Sequence, residues 1–257
     1  MKKLFLIAAA LFTAISFNAC TDDDHENGGS NGGTRLVSQI IQQNEDGTTV
    51  IYKFYYDDQG RVIRIHCDDY ATCFSYTEDK VEITMDDERE PIYLATLNEQ
   101  GYIATLNYPN VYERCVDYFS YDKDGYLSKV WWDNEAYGLQ CTWNNGDLIN
   151  EHHTESSYGT YKYTNYPIKQ NIDIFEVTRG YFYDDFSTFI GVTGLVGRKS
   201  AHLIKSANIR RSNEIDNELL SYDYELNDNS NPIKITEYSI YGTPAKYETT
   251  IYNIFYE

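Results

Sequence analysis

From about residue 35 onward, apolar and polar positions alternate with a period of two, and clusters of Asp, Asn and Gly interrupt the alternation at regular intervals. A period of two is the signature of half-buried β-strands. Two stretches show it best. Residues 52–65 run from Tyr52 through Phe54 and Tyr56 to Asp57, Gly60 and Ile65; residues 117–130 run from Asp117 through Phe119 and Tyr121 to Asp122, Gly125 and Val130. Each reads as an aromatic strand, an Asp-x-x-Gly turn and an apolar strand. Weaker copies occupy 76–83, 97–103, 143–149, 163–169 and 226–235. The last strand residue before each turn falls at 56, 76, 97, 121, 143 and 163, a spacing of 20 to 24 residues that accommodates two strands and two turns. Asp, Asn and Gly suit these turns because they tolerate the positive φ that tight hairpins demand. Residues 35–175 therefore read as an antiparallel meander.

Past residue 175 the alternation stops. Phe182, Phe186, Phe189 and Ile190 fall at helical spacing within 181–190, and Gly191, Gly194 and Gly197 limit that helix. A basic stretch follows, with Arg198, Lys199, His202 and Lys205, then Arg210 and Arg211. It reads either as a helix and loop whose cations pair with nearby acids or as a binding element for an acidic sugar. Strands resume from Leu219 to Tyr256. The expected fold is mainly β: an antiparallel hairpin-repeat meander forming a curved sheet or half-barrel. One short helical insert near 181–205 is expected to pack on it or fill its concave side.

Turn positions set register, and register sets faces. If Tyr56 pairs with Arg61, Phe54 faces Ile63 and Tyr52 faces Ile65, and Cys67 shares this apolar, core-facing side. Lys53, Tyr55, Arg64 and His66 take the other side. In the second copy, Tyr121 opposite Tyr126 puts Phe119, Val130, Trp132 and Cys115 inside and Tyr118, Lys129 and Trp131 outside. The outer face thus offers Tyr55, Arg64, Tyr118, Lys129 and Trp131 as a candidate ligand face, since a ring beside a hydrogen-bonding cation can hold a sugar. The competing reading has the 181–190 helix covering those rings. Cys67 and Cys73 flank five residues and form a possible disulfide if those residues make a hairpin loop; Cys115 and Cys141 read as buried thiols.

The N-terminus carries an address. Met1-Lys2-Lys3 is basic, Leu4–Phe17 is apolar and uncharged, and Asn18-Ala19 precedes Cys20. These are the parts of a secretory signal peptide, and the run is shorter than a spanning helix requires. The small residue before a cysteine resembles the lipobox of bacterial lipoproteins, although Phe17 and Asn18 stand where Leu and Ser or Ala are usual. The resemblance implies lipidation of Cys20. Asp22-Asp23-Asp24 resembles the acidic export signal of surface lipoproteins of Bacteroidetes. Residues 25–34, rich in Gly, Ser and Asn, read as a flexible tether. The expected organisation is a signal peptide over 1–19, a lipidated cysteine and tether over 20–34, and a single β-rich domain over 35–257. The hairpin motif resembles the YD repeat of Rhs-type and teneurin-type proteins. The chain as a whole resembles Tyr-rich surface lipoproteins of gut Bacteroidetes that carry a domain of unknown function.

Composition narrows the function classes. Without Lys2 and Lys3, 19 basic residues face 40 acidic ones, a formal charge of −21. That balance argues against nucleic acid, whose phosphates need a basic face, and against adsorption to an anionic bilayer. Membrane attachment is therefore expected through the lipid alone. The 26 tyrosines suit sheet packing and wet binding surfaces alike.

Searching for chemistry yields little. No G-x-S-x-G elbow, P-loop or H-E-x-x-H occurs. Glu151-His152-His153-Thr154-Glu155 is the densest ligand-like cluster; adjacent histidines in a strand would point to opposite faces, a poor arrangement for one metal, and the cluster reads as a surface turn. Asp122-Lys123-Asp124-Gly125 begins like a calcium loop but lacks its later ligands. No cofactor, metal or catalytic residue is expected. The sequence reads as an outer-membrane, surface-exposed lipoprotein that acts as a non-catalytic binding module for a polysaccharide or assists its uptake. An accessory of an outer-membrane protein complex comes next, and a glycoside hydrolase third.

Overall fold

The structure, a computed structural model, describes residues 35–85, 90–109, 116–132, 138–154, 157–178, 187–210 and 217–257. The expected signal peptide, Cys20 and the expected tether lie outside the described residues, as do Cys115 and Arg211. Sixteen strands follow one another around a closed antiparallel barrel. The first eight are β1 (Val37–Gln43), β2 (Thr49–Tyr56), β3 (Val62–Cys67), β4 (Tyr70–Tyr76), β5 (Lys80–Met85), β6 (Tyr93–Leu97), β7 (Ile103–Asn107) and β8 (Val116–Tyr121). The rest are β9 (Leu127–Trp132), β10 (Leu139–Asn144), β11 (Asp147–His153), β12 (Tyr158–Pro167), β13 (His202–Arg210), β14 (Asn217–Leu226), β15 (Pro232–Tyr241) and β16 (Lys246–Tyr256).

Among the described residues, the repeated turn is one geometry used five times. At Asn44, Asp57, Asn98, Asp122 and Asn227, the first residue's N–H donates to the carbonyl of the fifth, and the fourth residue's N–H donates back to the first carbonyl. The fourth residue sits at positive φ in each, as Gly47, Gly60, Gly101, Gly125 and Ser230. In the last four turns the Asx Oδ1 also accepts the N–H groups of the third and fifth residues. The side chain thus satisfies amides that the strand ladder leaves over.

A second repeat lies inside the barrel. Tyr56, near the turn that ends β2, donates its hydroxyl to the Val37 carbonyl at the start of β1, 2.6 Å away. Tyr76 does the same to Val62, Tyr121 to Ile103, Tyr163 to Leu148, Tyr224 to Ile204 and Tyr256 to Pro232. On β10 the Trp143 indole N–H donates to Leu127. Every even-numbered strand except β6, where Leu97 stands near the turn, therefore carries an aromatic that ties it to the preceding strand.

Closure corrects the expectation of a curved sheet or half-barrel. β1 pairs with β16 as well as with β2, with Ile40 opposite Ile254 and Gln42 opposite Tyr252. Joining the two ends removes both exposed edges and buries Val37, Ile40 and Ile254. The basic stretch contributes a strand of its own: β13 pairs with β12 and β14 and completes the circuit.

The insert between β12 and β13 occupies the interior. It contains α1 (Ile174–Thr178) and α2 (Ser187–Val192). Of the helix expected over 181–190, residues 181–186 lie outside the described residues, and the remainder begins α2. Ile172, Ile174, Phe175, Val177, Ile190, Val192 and Leu195 share one buried cluster with inward strand residues such as Phe54, Ile65, Ile83 and Leu220. Backbone bonds from Ile103 to Leu195, Arg198 to Gly125 and Ala201 to Gly146, with the Val37 N–H on Asn171 Oδ1, fasten the insert at the end that carries the turns after even-numbered strands. The described part of the insert is thus a plug, and does not lie over the outer wall.

The outer wall is mixed: charged residues are spread among exposed apolar ones such as Tyr55, Ile63, Leu219 and Phe255. Lys53, Glu82, Lys162, Lys205, Asp223 and Glu225 point outward from strands around the circumference and are exposed. A transmembrane barrel turns apolar side chains to lipid and keeps a polar lumen. Here the apolar side faces in.

Candidate functional site: aromatic clusters on two sides of one wall

β8 and β9 pair with Tyr118 opposite Trp131 and Asp117 opposite Trp132. Strand alternation therefore sends the two tryptophans to opposite sides. Outside, the Tyr118 and Trp131 rings stack at 5.7 Å between centroids and 21° between planes. The Lys129 ammonium lies 5.4 Å from the Trp131 ring centroid, within cation–π range. Tyr118 is 39% exposed. The sequence expectation for these three residues matches their placement.

The other two residues of the candidate ligand face also point outward, but elsewhere. Tyr55 pairs with Arg64 across β2 and β3 and is 46% exposed. From β3 to β8 is five interstrand steps, roughly 24 Å of wall at about 4.8 Å each. The expected face is thus two patches. The expected register also shifts: a bulge beside Tyr56 sets Phe54 opposite Ile65 and turns Ile63 outward.

Cys67 and Cys73 are free thiols. Only Asp68 and Asp69 separate β3 from β4, and the register sets Cys67 opposite Tyr70 and Cys73 opposite Arg64. Cys67 faces inward and Cys73 outward, so the possible disulfide has no geometric basis.

Inside, a continuous set of contacts runs along the lip of the barrel at the end that carries the turns after odd-numbered strands. Tyr93 and Tyr108 meet edge to face at 5.4 Å. Tyr108 donates its hydroxyl to Asp117 Oδ2. Asp117 pairs across the ladder with Trp132, whose ring stacks on His153 at 5.3 Å and 23°. Burial raises the Asp117 pKa above the usual carboxylate range, and the Tyr108 hydroxyl opposes that shift. Tyr93, Tyr108, Asp117, Trp132 and His153 are each half-buried although they point inward, so solvent reaches this lip.

Comparison with known proteins places the architecture. No protein-family model matches the chain, and no curated protein does. The chain is similar to the crystal structure of a porin-like protein from Bacteroides uniformis, with 17% identity over 88% of this chain and 99% of that one and a TM-score of 0.65. It is also similar to a porin-like protein from Bacteroides vulgatus, with 15% identity over 87% and 99% and a TM-score of 0.57.

The chain shares their fold.

At this identity the likeness concerns the barrel, and the chemistry of its wall must be read from this chain's own residues. The basic residues of the plug and β13 mostly find partners. His202 Nδ1 lies 2.9 Å from Asp147 Oδ2, Arg198 sits 5.7 Å over the Tyr126 ring, and Lys199 donates to the Gln170 carbonyl. Of these three, only His202 meets a carboxylate; Arg198 rests on a ring and Lys199 on a backbone carbonyl.

Sequence reasoning missed an interior carboxyl. Glu151 points inward opposite Cys141 on β10. Desolvation raises its pKa to about 8, and the neighbouring Tyr161 hydroxyl opposes that shift. Its Oε2 is buried and has no hydrogen-bond partner. The only available signal was strand parity, which puts Glu151 on the face of His153 and opposite that of His152.

Proposed function

We propose that the chain is an outer-membrane lipoprotein anchored through Cys20, and that its barrel stands in water at the cell surface and binds glycans without catalysis. The observation that carries the binding reading is the stacked Tyr118–Trp131 pair with Lys129 beside it. It supplies an apolar ring surface and a hydrogen-bonding cation on an exposed wall, the combination that grips a pyranose through its C–H face and hydroxyls. The charged residues spread over the outer wall and the large apolar cluster inside support a barrel outside the bilayer, where no lipid has to be matched. The N-terminal motif supplies the anchor.

A glycan-array screen of the chain from residue 21, with Trp131→Ala alongside, tests the binding. The expected result is recognition of a polysaccharide class that the variant loses. Retention by the variant, or no binding across plant, host and microbial glycans, would overturn it. Cys20→Ser tests the anchor and should release the protein from the membrane fraction.

One observation favours an accessory role in a protein complex as a second reading. Leu219, Ile240 and Tyr247 form a cross-strand row on the outer wall of β14–β16, with Leu219 45% and Tyr247 70% exposed. Clustered exposed apolar groups of this kind mark contact surfaces.

A further inference from the structure

The inner lip is a site in its own right, separate from the outer platform. Its five linked residues span the inward face from β6 to β11, and each is partly open to solvent. One side-chain layer deeper the same strands are sealed: Ala95 below Tyr93, Val130 below Trp132 and the neighbouring Leu139 are 1%, 5% and 3% exposed. On the next strands of the lip, Tyr70 points inward yet is 37% exposed, and its ring meets Phe189 of the plug edge-on at 6.3 Å. The layer beneath the lip is therefore largely apolar, with the inward carboxyl of Glu151 one layer below His153 on β11.

The lining selects a ligand class. Phenol, carboxylate and imidazole groups alternate with ring surfaces, and the Asp117 carboxyl disfavours an anion beside it. Tyr93 and Tyr108 meet edge to face at 79°, and the Trp132 and His153 rings lie nearly parallel at 23°. That geometry suits a flat, hydroxyl-rich ring better than a spherical ammonium ion. We infer that the inner lip binds one or two pyranose units of a neutral saccharide, with Trp132 as the stacking surface and Asp117 accepting sugar hydroxyls.

Adjacent tryptophans on opposite faces make the test clean. Methyl glycosides of neutral hexoses and N-acetylhexosamines, with their disaccharides, would be titrated against the full chain extracted in mild detergent, using tryptophan fluorescence and saturation-transfer NMR. At least one probe should bind, with affinity reduced about tenfold or more in Trp132→Ala and in Asp117→Asn and unchanged in Trp131→Ala. Asp117→Asn preserves shape and keeps the test valid if Trp132→Ala unfolds. Absence of binding, or binding lost in Trp131→Ala and kept in Asp117→Asn, would overturn the inference. Binding of tetramethylammonium in place of every sugar would overturn the ligand class. Failure of the outer platform alone would leave the lip result intact.

Discussion

Trp131 and Trp132 are consecutive in β9 and face opposite sides of the barrel wall, one stacked on Tyr118 outside and the other on His153 inside. Two candidate binding surfaces thus hang on one strand, and whatever fixes the backbone there fixes both.

Gly138 is that constraint. It sits at φ +145, and a Cβ built on it would lie 2.1 Å from the Val130 carbonyl oxygen and 2.9 Å from the Trp131 Cα. Its carbonyl and N–H are both held by the Thr154 hydroxyl. Gly138→Ala should cost about 2 kcal/mol or more through backbone strain and overlap. A lower urea midpoint and a weakened near-UV circular dichroism signal from the Tyr118–Trp131 pair would register it.

The interior tyrosine bonds should be individually modest and collectively important. Tyr121→Phe keeps the ring but removes the donor to Ile103, 2.8 Å away. The expected loss is about 1 kcal/mol, the usual net value of such a bond. Denaturant unfolding of Tyr121→Phe, and of Tyr56→Phe as a second member, measures it. No change in either would mean that the hydroxyls are incidental to the fold.

Glu151 makes stability depend on pH in a definite direction. Its pKa is near 8 in the folded barrel and near 4.5 when unfolded. Between those values the folded state holds a proton that the unfolded state releases, so this group's contribution is most favourable below about 4.5 and is lost progressively as pH rises to 8. Glu151→Gln should flatten that part of the profile and stabilise the protein at pH 8 relative to the native chain. Urea midpoints of both proteins from pH 5 to 9 provide the comparison. Parallel profiles would contradict the assignment.

Much of the wall was legible because turns and alternation are local. Asp57–Gly60 and Asp122–Gly125 announce their hairpins, and parity correctly puts Phe54, Phe119 and Trp132 inside and Tyr55, Tyr118 and Lys129 outside. Closure was not legible: Ile40 and Ile254 meet only in the folded barrel, and no short-range pattern links them. β13 was hidden by Arg198, Lys199 and Lys205, which read as a charged loop although Leu203, Ile204 and Ala207 are buried. Bulges defeated the exact register, since each admits a residue that simple pairing does not count. The inner lip joins five residues from β6, β8, β9, β11 and the segment after β7, and only the circular arrangement makes them neighbours.

The central claim is that this barrel keeps its outer wall in water. Sedimentation velocity of residues 35–257 in detergent-free buffer, followed by flotation with liposomes, tests it most directly. A folded, monodisperse species that stays out of the lipid fraction is the predicted result. A protein that folds only in detergent, or that floats with the liposomes, would contradict it.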